Sequence, residues 1–298
     1  MGQVVILLST YNGENFLREQ LDSVLMQDDV DIRVLVRDDG SSDGTIKILE
    51  EYQKQVNLSW YSGENMRPAK SFMHLLCAAP DADFYAFCDQ DDVWMPEKLG
   101  VAIEKIQGAN GPAMYCSDTL LVDSTLQAIR VGGIIADGTF AESLISNPAT
   151  GCTMVFNKSL RDVAIRYIPA HLDMHDWWLY RICMAIGGYF YFDTTPHIKY
   201  RQHGNNVIGG QHLRREKIKR HIGRLFSSDE GIRLTMAKEL HNGFYNQMNK
   251  DNQKVLDMFV TYKDSVAKTL KLAMSKETYI SDQGVLNTFR NSVLLRKY

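Results

Sequence analysis

Residues 3–25, QVVILLSTYNGENFLREQLDSVL, decide the fold. Positions 3–9 form an apolar run without polar alternation, as expected of a strand buried on both faces. Phe16, Leu17, Leu21, Val24 and Leu25 then recur at helical spacing and predict an amphipathic helix. The unit repeats. DIRVLVRDD (31–39) reads as a second strand, GSSDGT (40–45) as a turn rich in capping residues, and Ile46, Ile48 and Leu49 as the start of another helix. LSWYS (58–62) and DFYAFCD (83–89) are further strands, with a helix over KSFMHLLCAA (70–79) between them. Pro96 is expected in the first turn of a helix over PEKLGVAIEKI (96–106). Strands alternating with helices at this length imply an α/β fold with a mostly parallel central sheet covered on both faces.

Past residue 112 the pattern loosens. AMYCSDTLLVD (113–123), GCTMVFN (151–157) and GYFYFDTT (188–195) read as strands, and DWWLYRICMAIG (176–187) as a helix. The glycine- and asparagine-rich YRQHGNNVIGG (200–210) breaks the alternation, and residues 212–298 read as mostly helical. A boundary is therefore expected near residue 208, dividing a catalytic domain over 1–208 from a mostly helical C-terminal extension over 209–298.

Composition narrows the class. With 23% charged and 45% hydrophobic residues, the chain is an ordinary globular protein. Its formal charge of −3 argues against a surface built for nucleic acid. The five cysteines show no CxxC spacing and sit among apolar neighbours, which suits a reducing, cytoplasmic compartment. The apolar N-terminus has no basic segment before it, and no stretch reaches the ~18–20 apolar residues of a membrane span.

In such sheets ligands bind beyond the carboxyl ends of the strands. Three of those ends carry unusual chemistry: STYNGE (9–14), RDDGSSDG (37–44) and CDQDD (88–92). Asp89 and Asp91 form an Asp-X-Asp pair, and hard cations such as Mg²⁺ and Mn²⁺ favour such oxygen ligands together with substrate phosphates. A bare pair of this kind is most often a capped surface turn. Here it follows FYAFC and precedes Trp94, which favours the metal reading. Asp39 could accept a hydrogen bond from a nucleobase imide or a ribose hydroxyl, or could cap the turn; Asp38 or Asp43 could equally do the capping.

STYNGENFLREQLDSVLMQ, VRDDGSSDGT, FCDQDDVWMPEKL, ATGCTMVFN, HDWWL and YRQHGNNVIG occur in the order seen in inverting family-two glycosyltransferases. Over residues 3 to 210 the chain resembles that family, which has the GT-A fold. DQDDVW and YRQHGNN resemble its bacterial rhamnosyltransferase branch. The resemblance implies a nucleotide-sugar donor held by Thr10, Tyr11, Glu14, Asp39, Asp89 and Gln90, with Arg67 and Lys70 beside it. Solvated surface charge is an equal reading of those last two. It implies Mg²⁺ or Mn²⁺ on Asp91 and His203, and Arg201 neutralising phosphate. Asp176 is implied as the base that takes the acceptor proton, although its position also suits a helix N-cap. Gly151, His175 and Trp177 would meet the acceptor; much of the family carries Glu where this chain has His175.

The implied reaction moves L-rhamnose from dTDP-β-L-rhamnose to a glycan or lipid-linked oligosaccharide, with UDP-hexose donors as the alternative. Nucleotidylyl transfer would need a basic, glycine-rich loop after the first strand, and dinucleotide oxidoreduction a GxGxxG there; STYNGEN supplies neither. A non-catalytic glycan-binding relative would lack the base or the metal ligand. HLRREKIKRHIGRLF (212–226) carries six Lys or Arg against one Glu. It is expected to touch the inner face of the membrane or to pack on the catalytic domain.

Overall fold

The computed structural model describes residues 2–202 and 231–298. β1 (Gln3–Thr10) has Val4, Ile6 and Leu8 buried in one apolar cluster and Val5 and Leu7 in another, which accounts for its unbroken apolar run. α1 (Leu17–Leu25), β2 (Asp31–Asp38), α2 (Thr45–Gln53), β3 (Leu58–Ser62), α3 (Arg67–Ala78) and β4 (Phe84–Cys88) follow in the expected order. β1 pairs in parallel with β2 and β4, and β2 with β3.

The next elements are β5 (Val93–Trp94), α4 (Lys98–Ile106), β6 (Ala113–Ser117), β7 (Leu120–Val122) and β8 (Ala128–Val131). α5 (Phe140–Ile145), β9 (Val155–Asn157), α6 (Lys158–Ala164), α7 (His175–Ala185), β10 (Tyr189–Asp193) and β11 (Ile198–Arg201) come after them. Among the described residues the main sheet has seven strands in the order β10-β6-β9-β4-β1-β2-β3. Its pairings are parallel except at β9, which runs antiparallel between β4 and β6. A second sheet has the order β5-β11-β7-β8.

Three local readings are corrected. The stretch 113–123 is two strands in different sheets, because Asp118 turns the chain. Its carboxylate accepts from Thr119 N at 2.8 Å and Gly133 N at 2.7 Å, and its own N–H donates to Asp193 O at 2.8 Å. Pro96 stands before the N-cap Glu97 of α4 rather than inside the helix, with its carbonyl accepting from Asp28 N. Residues 151–153 form a 3₁₀ turn ahead of the strand.

The tail comprises α8 (Ile232–Phe244), α9 (Lys250–Thr261), α10 (Val266–Met274) and α11 (Gln283–Leu294). α8 packs on α7, and α11 on α5. Leu240, Phe244, Leu256, Phe259 and Phe289 join Phe72, Phe87 and Trp178 in one core, while α1, α2 and α4 cover the opposite side of the sheet. No helix among the described residues is long and apolar enough to cross a membrane. His203, the stretch 212–226 and the boundary placed near 208 lie outside the described residues.

Candidate active site

The carboxyl ends of β1, β2 and β4 are level: Thr10 lies opposite Asp38, and Leu8 opposite Cys88. Their three loops therefore meet on one edge. Gln90 joins two of them, its Oε1 accepting from Thr10 Oγ1 at 2.7 Å and Tyr11 N at 2.9 Å while Nε2 donates to Tyr11 O at 3.2 Å. Glu14 accepts from Gly44 N at 3.0 Å, and its own N–H donates to Asp43 at 3.1 Å. Asp38 does cap the turn, accepting from Gly40 N and Ser41 N at 3.0 Å and from Ser62 Oγ at 2.8 Å. The Tyr11 ring stays exposed at the rim.

Asp39, read as a ligand acceptor or a cap, is engaged within the protein. It is buried and ion-paired with Arg37, and its Oδ2 accepts from Met66 N at 3.2 Å. Arg37 also donates to Glu64 O at 3.0 Å. Arg67 and Lys70 are exposed in the first turn of α3, just beyond the Met66 amide that Asp39 binds.

On the loop after β4, Asp89 and Asp91 are half-buried and Asp92 is buried. Burial first, then the charges of Asp91 and Asp176, push the Asp89 carboxyl up to about 7. Asp92 is raised as well, again chiefly by burial. Its Oδ1 accepts from Arg201 N at 3.1 Å, and its Oδ2 makes no hydrogen bond among the described residues. Carboxylates crowded at low dielectric with an orphaned oxygen suit a bound hard cation. Ligand atoms of Asp89, Asp92 and Cys152 lie within 4.8 Å of one another. Burial holds the Cys152 thiol protonated, however, and a thiol is a poor partner for Mg²⁺ or Mn²⁺.

Arg201 gives its guanidinium to protein acceptors. Its Nε donates to Asp91 O at 2.8 Å, Nη1 to Ser124 O at 2.7 Å and Nη2 to Glu19, with the guanidinium over the Phe16 ring. It thereby fixes the acidic loop.

Asp176 enters in the first turn of α7. It is buried, accepts from Gly151 N at 3.1 Å and Trp177 N at 2.6 Å, and burial still lifts it from 3.8 to about 6. That value leaves a carboxylate able to take a proton near neutral pH. Its charge adds to the rise of the Asp89 carboxyl, so the two carboxylates lie within electrostatic reach of each other. Gly151 leaves little room for a side chain: a Cβ would lie 3.0 Å from His175 Nε2 and 3.2 Å from Asp176 Cβ.

His175 was expected at the acceptor, and the structure places it behind the site. Its ring stacks on Phe72 at 4.0 Å and meets the Phe87 edge at 4.8 Å, and burial lowers it to about 3, leaving it neutral. Trp177 is half-buried, its Nε1 donating to Ser143 O at 2.6 Å and its ring facing Arg181.

Sequence reading missed Cys152 and Lys98, and gave Asp92, part of CDQDD, no role of its own. Cys152 passed as one apolar cysteine among five. Lys98 is fully buried with its Nζ 3.5 Å from the Trp94 ring centre, and burial lowers it to about 8. It supplies positive charge behind Asp92, and its place at a helix start gave no sign of that.

The profile described as Glycosyl transferase family 2 matches residues 5–130. The dTDP-rhamnosyl transferase RfbG of Shigella flexneri is 31% identical over 229 residues, covering 72% of this chain and 77% of that protein. The UDP-Glc:alpha-D-GlcNAc-diphosphoundecaprenol beta-1,3-glucosyltransferase WfgD of Escherichia coli is 29% identical over 160 residues, 53% of this chain and 61% of that one. Among solved structures, S. aureus TarS 1–349 in complex with UDP-GlcNAc superposes with a TM-score of 0.56 at 15% identity, covering 98% of this chain and 90% of that one. Mannosyltransferase PcManGT from Pyrobaculum calidifontis, in complex with GDP-Man and Mn²⁺, gives 0.52 at 15% identity over 100% and 88%. At that identity the two structures speak for the fold alone. With a mostly parallel sheet of the GT-A type and a relative matched over most of both lengths, the chain belongs to glycosyl transferase family 2.

Proposed function

We propose that the protein is an inverting, metal-dependent glycosyltransferase that moves L-rhamnose from dTDP-β-L-rhamnose onto a hydroxyl of a glycan or lipid-linked oligosaccharide, in bacterial cell-surface polysaccharide synthesis. The observation that carries the reaction class is Asp176, a buried carboxylate fixed by two amides and close enough to the acidic loop to raise Asp89. The similarity to RfbG supports the sugar and nucleotide. The similarity to WfgD favours a second reading, a UDP-hexose donor.

Thr10, Tyr11, Gln90 and Glu14 shape the donor rim, and Arg37 with Asp39 makes its floor rigid. Asp91 with His203 would hold Mg²⁺ or Mn²⁺, with Asp89 and Asp92 beside them and Lys98 behind Asp92. When bound, such a cation offsets the charge left on a departing diphosphate. Asp176 accepts the proton of the acceptor hydroxyl as its oxygen bonds to the anomeric carbon from the face opposite the nucleotide. The bond to the diphosphate breaks with its electron pair, and the configuration inverts. Gly151 keeps the approach to Asp176 open, and Trp177 walls it. We assign the protein to the cytoplasm or the inner face of the cell membrane.

Nucleoside diphosphate release would be measured with dTDP-rhamnose, UDP-glucose, UDP-N-acetylglucosamine and GDP-mannose in the presence of Mn²⁺. Turnover of dTDP-rhamnose alone is expected; turnover confined to UDP-sugars would replace the first reading by the second.

A further inference from the structure

We propose that the outer face of α10, together with the end of α11, docks on an anionic lipid bilayer. α10 buries Thr269, Leu272 and Ala273 against the protein. Along one edge of that buried stripe Val266, Leu270 and Met274 recur four residues apart and are 68%, 45% and 75% exposed. A helix facing only water would carry polar residues at those positions. Leu294 and Leu295, also exposed, extend the ridge. α10 and α11 pack side by side, and Arg296 hydrogen-bonds the Lys263 carbonyl, which brings the end of α11 beside the start of α10.

Positive charge flanks the ridge. Between α9 and α10 runs a groove of about 400 Å³ whose lining includes Lys250, Lys254, Lys268 and Lys271. Lys268 is paired with Asp264 and Lys254 with Glu277, whereas Lys271 makes no ion pair among the described residues. Residues 250–298 hold nine Lys or Arg against five Asp or Glu, in a chain whose formal charge is −3. Charge is thus segregated toward this end of the molecule. An apolar ridge beside a cationic flank is the pattern of an element lying in the headgroup region, with side chains among the acyl chains and lysines on the phosphates. A second copy fits less well. Two-fold pairing would set each lysine flank against like charge.

The surface includes none of residues 212–226, and its assignment does not depend on the donor. The full chain would be sedimented with vesicles of phosphatidylglycerol mixed with phosphatidylcholine, and with phosphatidylcholine alone. Binding to the mixed vesicles, weakened by salt, is expected, with little binding to the neutral ones. Leu270→Asp with Met274→Asp, and separately Lys268→Glu with Lys271→Glu, should each weaken it at least about tenfold. All four positions are exposed, so thermal unfolding and donor turnover should match the parent. Failure of the parent to bind, or parent-like binding by both double variants, overturns the proposal; in the second case the membrane is met elsewhere. Light scattering completes the test. A dimer that the Asp variants dissociate, with vesicle binding unchanged, would make this face a contact between copies instead.

Discussion

Asp176 accepts two amide hydrogen bonds, yet burial lifts it to about 6 from an ordinary 3.8. A carboxyl whose pKa is higher in the folded state disfavours folding once ionised. The penalty is absent below pH 3.8, grows up to about pH 6 and is complete above it, on the order of 2–3 kcal/mol. Asp176→Asn should therefore lose about 10²-fold or more in kcat while its Tm at pH 8 is no lower than the parent's, a gap that closes toward pH 4. In the parent, kcat/KM should fall below about pH 6 as Asp176 takes a proton. A residue held only for packing would give the opposite stability result. Gly151→Ala forces a methyl to within 3.0 Å of His175 Nε2 and 3.2 Å of Asp176 Cβ; it should lower kcat at least about tenfold and stability by about 1–3 kcal/mol, measured by denaturant titration. Legibility varied at this scale. Asp176 stood out through its motif. The Arg37–Asp39 pair was also readable, since residues two apart share one face of an extended chain, but Asp39 was weighed only as a ligand or cap. The stacking of His175 between Phe72 and Phe87 joins three distant segments and left no local trace.

The acidic loop after β4 is held from the second sheet, where Arg201 at the end of β11 reaches the Asp91 carbonyl, Ser124 O and Glu19. Lysine keeps the charge but cannot supply that fork of donors. Arg201→Lys should cost about 2–4 kcal/mol and weaken binding of Mn²⁺ with nucleotide, read by calorimetry, while leaving the acid limb near pH 6 unmoved. Chelation with EDTA should abolish turnover in the parent, and Mn²⁺ should restore it. This sheet could not be read in advance, because β5, β7 and β11 span two to four residues and are too short to display a period. The strands of the main sheet were legible for the opposite reason, being longer and apolar on both faces.

At the scale of the molecule, the tail helices complete the core on α5 and α7. Deleting residues 231–298 would uncover Trp178 and its neighbours, and the remaining chain should be insoluble or molten, as seen by loss of near-ultraviolet circular dichroism. Phe259→Ala alone should cost about 3–5 kcal/mol. The helices were legible from periodicity; their partners were not, because an amphipathic pattern reveals a buried face without saying what covers it. The antiparallel β9 has a consequence for biosynthesis. Residues 3–88 can form four adjacent parallel strands as they leave the ribosome, but the flank of β4 has no mate until residues 155–157 emerge, some seventy positions later. A nascent chain stalled in that interval presents a raw hydrogen-bonding margin, open to pairing with another nascent chain.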